Sequence, residues 1–213
     1  NVTVTGTKGV TYDDITGTGI KAVSVTTAGA MDVGDVVASL TALSTVSYTS
    51  TGSSGAIISD NIGSATVTSL TITESAATAV TQGTIDALDI AGVTITGALG
   101  VVNVGAITAA DDIVGTVALT ATNGSLTVGT ITAADEAGTI SLTSTGAQIN
   151  GTANQIVVTA TDGVTVNMTA ATFIDAAGTG SGSLLVDNNA GDIAATLSGA
   201  AVALVNYTVD DGT

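Results

Sequence analysis

The sequence predicts an all-β chain folded as a parallel β-helix, or β-solenoid, with rungs of about 22–24 residues. Three observations carry this expectation. One segment recurs at near-constant spacing, side-chain alternation of period two runs through each copy, and the 45% hydrophobic residues include only 2% aromatic. Val, Ile, Leu and Ala must therefore fill the interior. Such narrow side chains suit a thin core of many similar layers, whereas sandwiches and barrels commonly fill a wider centre with large aromatics.

The recurrence is clearest over 83–146. Gly83-Thr-Ile-Asp-Ala-Leu-Asp89, Gly105-Ala-Ile-Thr-Ala-Ala-Asp111 and Gly129-Thr-Ile-Thr-Ala-Ala-Asp135 align without gaps, so that Ile85, Ile107 and Ile131 coincide. A second alternating run follows each copy: Val93-Thr-Ile95, Val117-Ala-Leu119 and Ile140-Ser-Leu142. Each unit reads as glycine, strand, acidic turn, strand, polar turn, with Thr and Ser outward and aliphatic side chains inward. A unit of this size cannot bury its own apolar face, and stacking copies buries it continuously.

The same alternation predicts strands at Val2–Thr5, Ala22–Thr26, Thr45–Thr49 and Ala65–Thr73 before the clear repeats. After them it predicts strands at Gln155–Ala160, Val164–Met168, Ser183–Val186 and Ala201–Val209. Clusters of Gly, Asn, Asp and Ser separate them, as turns require. Ala28–Leu43 is the one stretch compatible with a short helix. The chain is expected to form a single solenoid domain over 1–213, less regular towards both ends. About nine rungs at about 4.8 Å would make a rod about 43 Å long. The competing fold is a tandem pair of immunoglobulin-like β-sandwiches. The short repeat and the absence of Trp and Pro argue against it.

Composition narrows function by exclusion. The formal net charge is −16, with two Lys and no Arg. Such a field repels phosphate backbones and anionic membrane surfaces, so no nucleic-acid partner is expected. Every apolar stretch is interrupted, so no membrane insertion is expected either. Without His or Cys there is no triad nucleophile–base pair and no nitrogen or sulfur ligand for zinc. A carboxylate pair could hydrolyse glycosides, but the basic residues and aromatic platforms that hold acidic sugars are nearly absent. The chain is therefore expected not to be an enzyme. Asn1 in place of Met reads as a processed protein or a fragment, and the Cys-free composition fits an extracellular or cell-surface location.

Gly115-Thr-Val-Ala-Leu-Thr-Ala-Thr-Asn-Gly-Ser-Leu-Thr-Val128, with Gly129-Thr-Ile-Thr-Ala and Gly138-Thr-Ile-Ser-Leu-Thr-Ser-Thr-Gly146 after it, resembles the repeats of very large bacterial surface proteins. These are the filamentous-haemagglutinin-like adhesins and the β-strand-repeat surface-layer proteins. The resemblance covers about 83–170 and rests on composition and repeat grammar. It implies a right-handed parallel β-helix, secretion, a scaffolding or adhesive role, and calcium as an ordering ion.

Asp111-Asp112 and Asp135-Glu136 occupy equivalent repeat positions, with Asp89 one rung earlier. In register, they would line one turn edge with oxygen-only ligands of the kind that hold Ca²⁺. The same pairs read equally as solvated turns whose charge keeps the rod soluble. Asp13-Asp14 and Asp210-Asp211 are similar pairs near the ends. The outward Thr residues raise ice binding, but along the sequence no Thr-x-Thr column repeats through every unit, and plain β-propensity accounts for them. The expected function is an extracellular structural protein that self-assembles into a surface layer or filament. The alternative is an adhesin stalk or binding module of a much larger secreted protein. The expected partner is the chain itself, with cell-surface polysaccharide as a further one.

Overall fold

In the structure, a computed structural model, residues 1–36, 42–64, 66–151, 155–173, 183–188 and 193–198 are described. The chain winds as a three-faced coil. Strands β1 (Val2–Gly6) and β2 (Val10–Tyr12) open it, and β3 (Ala22–Thr27) and β4 (Met31–Val33) stack on them. The next turns are β5 (Thr45–Ser50), β6 (Ile57–Ser59) and β7 (Ile62–Gly63), then β8 (Leu70–Ala76), β9 (Val80–Gln82) and β10 (Ile85–Ala87). The clear repeats form β11 (Ile90–Gly97), β12 (Val102–Val104) and β13 (Ile107–Ala109), then β14 (Ile113–Ala121), β15 (Leu126–Val128) and β16 (Ile131–Ala133). The described chain ends with β17 (Ala137–Gly151), β18 (Gln155–Ala160), β19 (Val164–Phe173), β20 (Ser183–Asn188) and β21 (Ile193–Ser198).

Every pairing between these strands is parallel and joins equivalent positions of successive turns. The first face stacks β1-β3-β5-β8-β11-β14-β17-β19-β21, and the second stacks β2-β4-β6-β9-β12-β15-β17, where β17 crosses the corner unbroken. The third face stacks β7-β10-β13-β16-β18-β20. This is a β-solenoid of about seven turns, and the antiparallel sandwich alternative is overturned. Ile85, Ile107 and Ile131 lie one above another, as do Ala87, Ala109 and Ala133. Val93, Val117 and Ile140 form an inner column of the first face. All are buried, within one continuous aliphatic core that reaches from Ile15 to Ala170. The backbone ladder runs along the axis: Ile85 N–H donates to Ala106 O and Ile107 N–H to Thr130 O, both at 2.9 Å.

Three details differ from the sequence reading. Each unit carries a third, three-residue strand on the second face, such as Val102–Val104, inside what reads as a polar turn. The stretch 28–43 contains β4 and a parallel bridge from Val36 to Ile62, and no helix occurs among the described residues. Met31, Val33 and Val36 are all buried in the core there, so stacking on neighbouring rungs overrides local helix preference. The strand expected at Ala65–Thr73 is displaced to β8, because a turn closes at Ser64–Val67 and sends Val67 into the core. The strand expected at Ala201–Val209 lies outside the described residues.

The corners explain the remaining composition. Gly105 and Gly129 open repeats where consecutive rungs touch backbone to backbone: a Cβ on Gly105 would sit 2.7 Å from Gly83 O, and one on Gly129 2.7 Å from the Gly105 carbonyl carbon. Between the second and third faces a polar ladder climbs the rod. Asp14 Oδ1 accepts the Asp35 N–H at 3.1 Å, Asp35 Oδ1 accepts the Asn61 N–H and Nδ2–H at 3.0 Å, and Asn61 Oδ1 accepts from the Thr84 N–H at 3.0 Å and hydroxyl at 2.6 Å.

The outer surface of the first face is more regular than the sequence suggests. One hydroxyl column runs in register through Thr5, Thr26, Thr49, Ser75, Thr96, Thr120, Thr143, Thr169 and Ser198. Unequal corner lengths hide it. The register step from Val2 to Val23 in the first turn is shorter than the step from Thr45 to Thr71 two turns later.

Candidate functional site

The corner that leads from the third face into the first gathers the acidic residues. Asp89, Asp111 and Asp112 each offer a carboxylate oxygen, and these oxygens all lie within 4.8 Å of one another. A one-residue difference in the corner brings them together. The chain passes from Ala87 to Ile90 in three steps, but takes four from Ala109 to Ile113 and from Ala133 to Ala137. Asp89 therefore aligns with Asp111 when counted from the third face and with Asp112 when counted into the first, and its carboxylate reaches both.

Asp135 and Glu136 continue the ridge one rung on. The Glu136 N–H donates to Asp112 Oδ1 at 3.0 Å. The Asp111 carboxyl is held above its ordinary range, chiefly by repulsion from Asp112, then by partial desolvation, and then by Asp89 and Asp135. Asp162 extends the same corner, its N–H donating to Asp135 O at 3.0 Å. The sequence reading missed Asp162 because that turn is longer: Ile131 pairs onward with Val158, a wider step than the one from Ile107 to Ile131. The five expected residues are thus neighbours on one ridge, with Asp89, Asp111 and Asp112 as its tightest group. Their hard oxygen atoms suit Ca²⁺, which takes six to eight such ligands, so water or a second chain would complete the shell. Asp14 lies on the other ladder, and Asp210-Asp211 lies outside the described residues.

A second group of polar residues sits inside the coil, and nothing in the sequence reading pointed to it. Tyr48 and Glu74 stack in an inner column whose other neighbours are Val25 below and Ile95 above. Ser59 and Gln82 stack on the second face in the same two turns, between Val33 and Val104. All four are buried. Gln82 Nε2–H donates to Asp60 O at 2.7 Å, so its carbonyl oxygen is left as an acceptor. That oxygen, both Glu74 oxygens and the Tyr48 and Ser59 hydroxyls find no partner among the described residues.

Burial pushes the Glu74 carboxyl up to about 8, so the group is a neutral acid at neutral pH. Burial also drives the Tyr48 phenol well above its usual range, with Glu74 adding to the effect and the Ser59 hydroxyl opposing it without reaching hydrogen-bond geometry. The surroundings favour the neutral acid. A protonated Glu74 needs to desolvate only a neutral group, whereas the carboxylate would bury two charged acceptor oxygens with no donor on either among the described residues.

No family model, curated protein or solved structure matches the chain. Its class is therefore defined by its fold: a parallel β-solenoid with an acidic corner ridge. Among the described residues no helix is long and apolar enough to cross a membrane.

Proposed function

We propose that the chain is a structural protein of an extracellular surface layer or filament, built by end-to-end stacking of solenoids. The observation that supports this most is the edge of the first described turn. β1 pairs only with β3 and β2 only with β4, so their outer N–H and C=O groups lack a strand partner among the described residues. Val2, Val4 and Val10 are only partly buried beside that edge. A rung from another molecule would satisfy both the backbone groups and the apolar side chains. Cations bound along the Asp89–Asp111–Asp112 ridge would offset the repulsion that opposes assembly of a chain with net charge −16.

Removing residues 1–10 should leave a folded monomer that no longer forms filaments, as judged by circular dichroism and electron microscopy. Filaments unchanged by the truncation would reject the role of this edge. The same edge also suits an adhesin stalk, in which further rungs of one longer chain cover it. A gene encoding thousands of residues would favour the stalk.

A further inference from the structure

Among the described residues the first face carries no charge on its outer surface. In its described strands every carboxylate is absent except the inward Glu74, while Asp32 marks the second face, Asp86 marks the third, and the other acids whose side chains are described sit at two corners. The corner that follows the first face, at residues 98–101 and its equivalents 77–79 and 122–125, is also free of Asp and Glu. It exposes Leu99 and Val101 instead. Thr and Ser fill most of its outward positions, beside Ala118, Asn167 and the exposed Val114, and one hydroxyl column runs through it in register.

We propose that this uncharged hydroxyl face is a lateral interface that pairs with the same face of a second copy. The proposal deepens the assembly reading, because end-to-end stacking alone gives only single filaments. Two objects with net charge −16 approach with least repulsion where neither presents a carboxylate. A second copy is commensurate with the face by construction, since both repeat at about 4.8 Å, and Thr/Ser ladders of equal repeat can interdigitate as stacked sheets do. Nine strands at about 4.8 Å by six residues at about 3.4 Å cover about 800–900 Å² on each copy, the area of a standard interface. The face lacks the aromatic and Arg anchors on which tight hetero-complexes depend.

The acidic ridge selects the orientation. A two-fold axis parallel to the rods places each ridge opposite the acid-free corner of the other copy, near Leu99 and Val101. A two-fold axis along the strands would set ridge against ridge. The pair is therefore parallel, with equal rungs at equal height.

The natural absence of Cys makes this testable with single cysteines. Ser24→Cys on β3 and Ser141→Cys on β17 are near opposite ends of the same outer column. With a short bismaleimide both should form dimers linked through identical positions, while Thr132→Cys on the third face should not. Thr96→Asp combined with Thr120→Asp should abolish cross-linking and reduce paired filaments to single filaments, with the melting curve retained. Cross-linking at neither position in a folded protein overturns the pairing, as does equal cross-linking at Thr132→Cys. So does freezing-point hysteresis from a protein that stays monomeric, which would assign the face to ice. Loss of filaments in the 1–10 truncation with cross-linking retained would leave the lateral interface standing, so the two readings fail separately.

Discussion

Glu74 shows how one residue departs from the pattern around it. Its column is aliphatic at Val25, Ile95, Leu119 and Leu142, so an isolated acid there would cost several kcal/mol as a charge. Tyr48, Ser59 and Gln82 occupy the same two turns, and no Lys faces it: Lys8 and Lys21 are exposed at outer corners. Among the described residues the titratable group stacked on it is Tyr48 on β5, and Ile95 on β11 lies on its other side. The folded-state value of about 8 lies above the ordinary 4.5, so the folded protein holds a proton that the unfolded chain releases between these limits. The contribution to stability is complete below pH 4.5 and is lost as pH rises through about 8. Relative to Glu74→Gln, the wild type should lose about 1.4 kcal/mol per pH unit across this window and level off above it. Urea unfolding at stepped pH measures this, and parallel curves for the two proteins would show that Glu74 folds ionised.

At the scale of the element, each strand is short and owes its place to the rungs on either side. Three residues such as Ile107–Ala109 have no independent stability, and the interior position of Ile107 follows from Ile85 and Ile131. The corner ladder supplies the register. Asn61 bonds Asp35 in one turn and Thr84 in the next, so it ties three rungs together. Asn61→Ala should cost about 1–3 kcal/mol in chemical denaturation, while Thr81→Ala on exposed β9 surface should change little. The strands at β3, β5, β10, β13, β16 and β18 were legible in the sequence because their period-two alternation is strict. The second-face strands at β9, β12 and β15 were not, since three residues such as Val102–Val104 are too few for a period to emerge beside Gly and Ala turns.

For the whole molecule, charge distribution matters more than any single contact. The acids concentrate along two corners, and the Asp89–Asp111–Asp112 ridge repels itself, as the raised Asp111 carboxyl records. Millimolar Ca²⁺ should therefore raise the thermal midpoint of the wild type, with about 2.7 kcal/mol gained at a hundredfold excess over Kd. Asp111→Asn with Asp112→Asn should melt higher than the wild type in chelator and lose the response to Ca²⁺. An equal Ca²⁺ response in both proteins, read by scanning calorimetry, would place the ion elsewhere.

The sequence alone determined the all-β class, the short stacking repeat and the superposition of Ile85, Ile107 and Ile131, because near-identical units without aromatics can bury their aliphatic faces only against one another. It also marked Asp89, Asp111, Asp112, Asp135 and Glu136 as one edge. Tertiary structure alone decided which carboxylates converge, which polar side chains are sealed inside, and that a hydroxyl column runs unbroken from Thr5 to Ser198. Those outcomes depend on corner lengths that vary from turn to turn. One inserted residue leaves the composition of a unit nearly unchanged, yet it shifts every following side chain relative to the rung beneath.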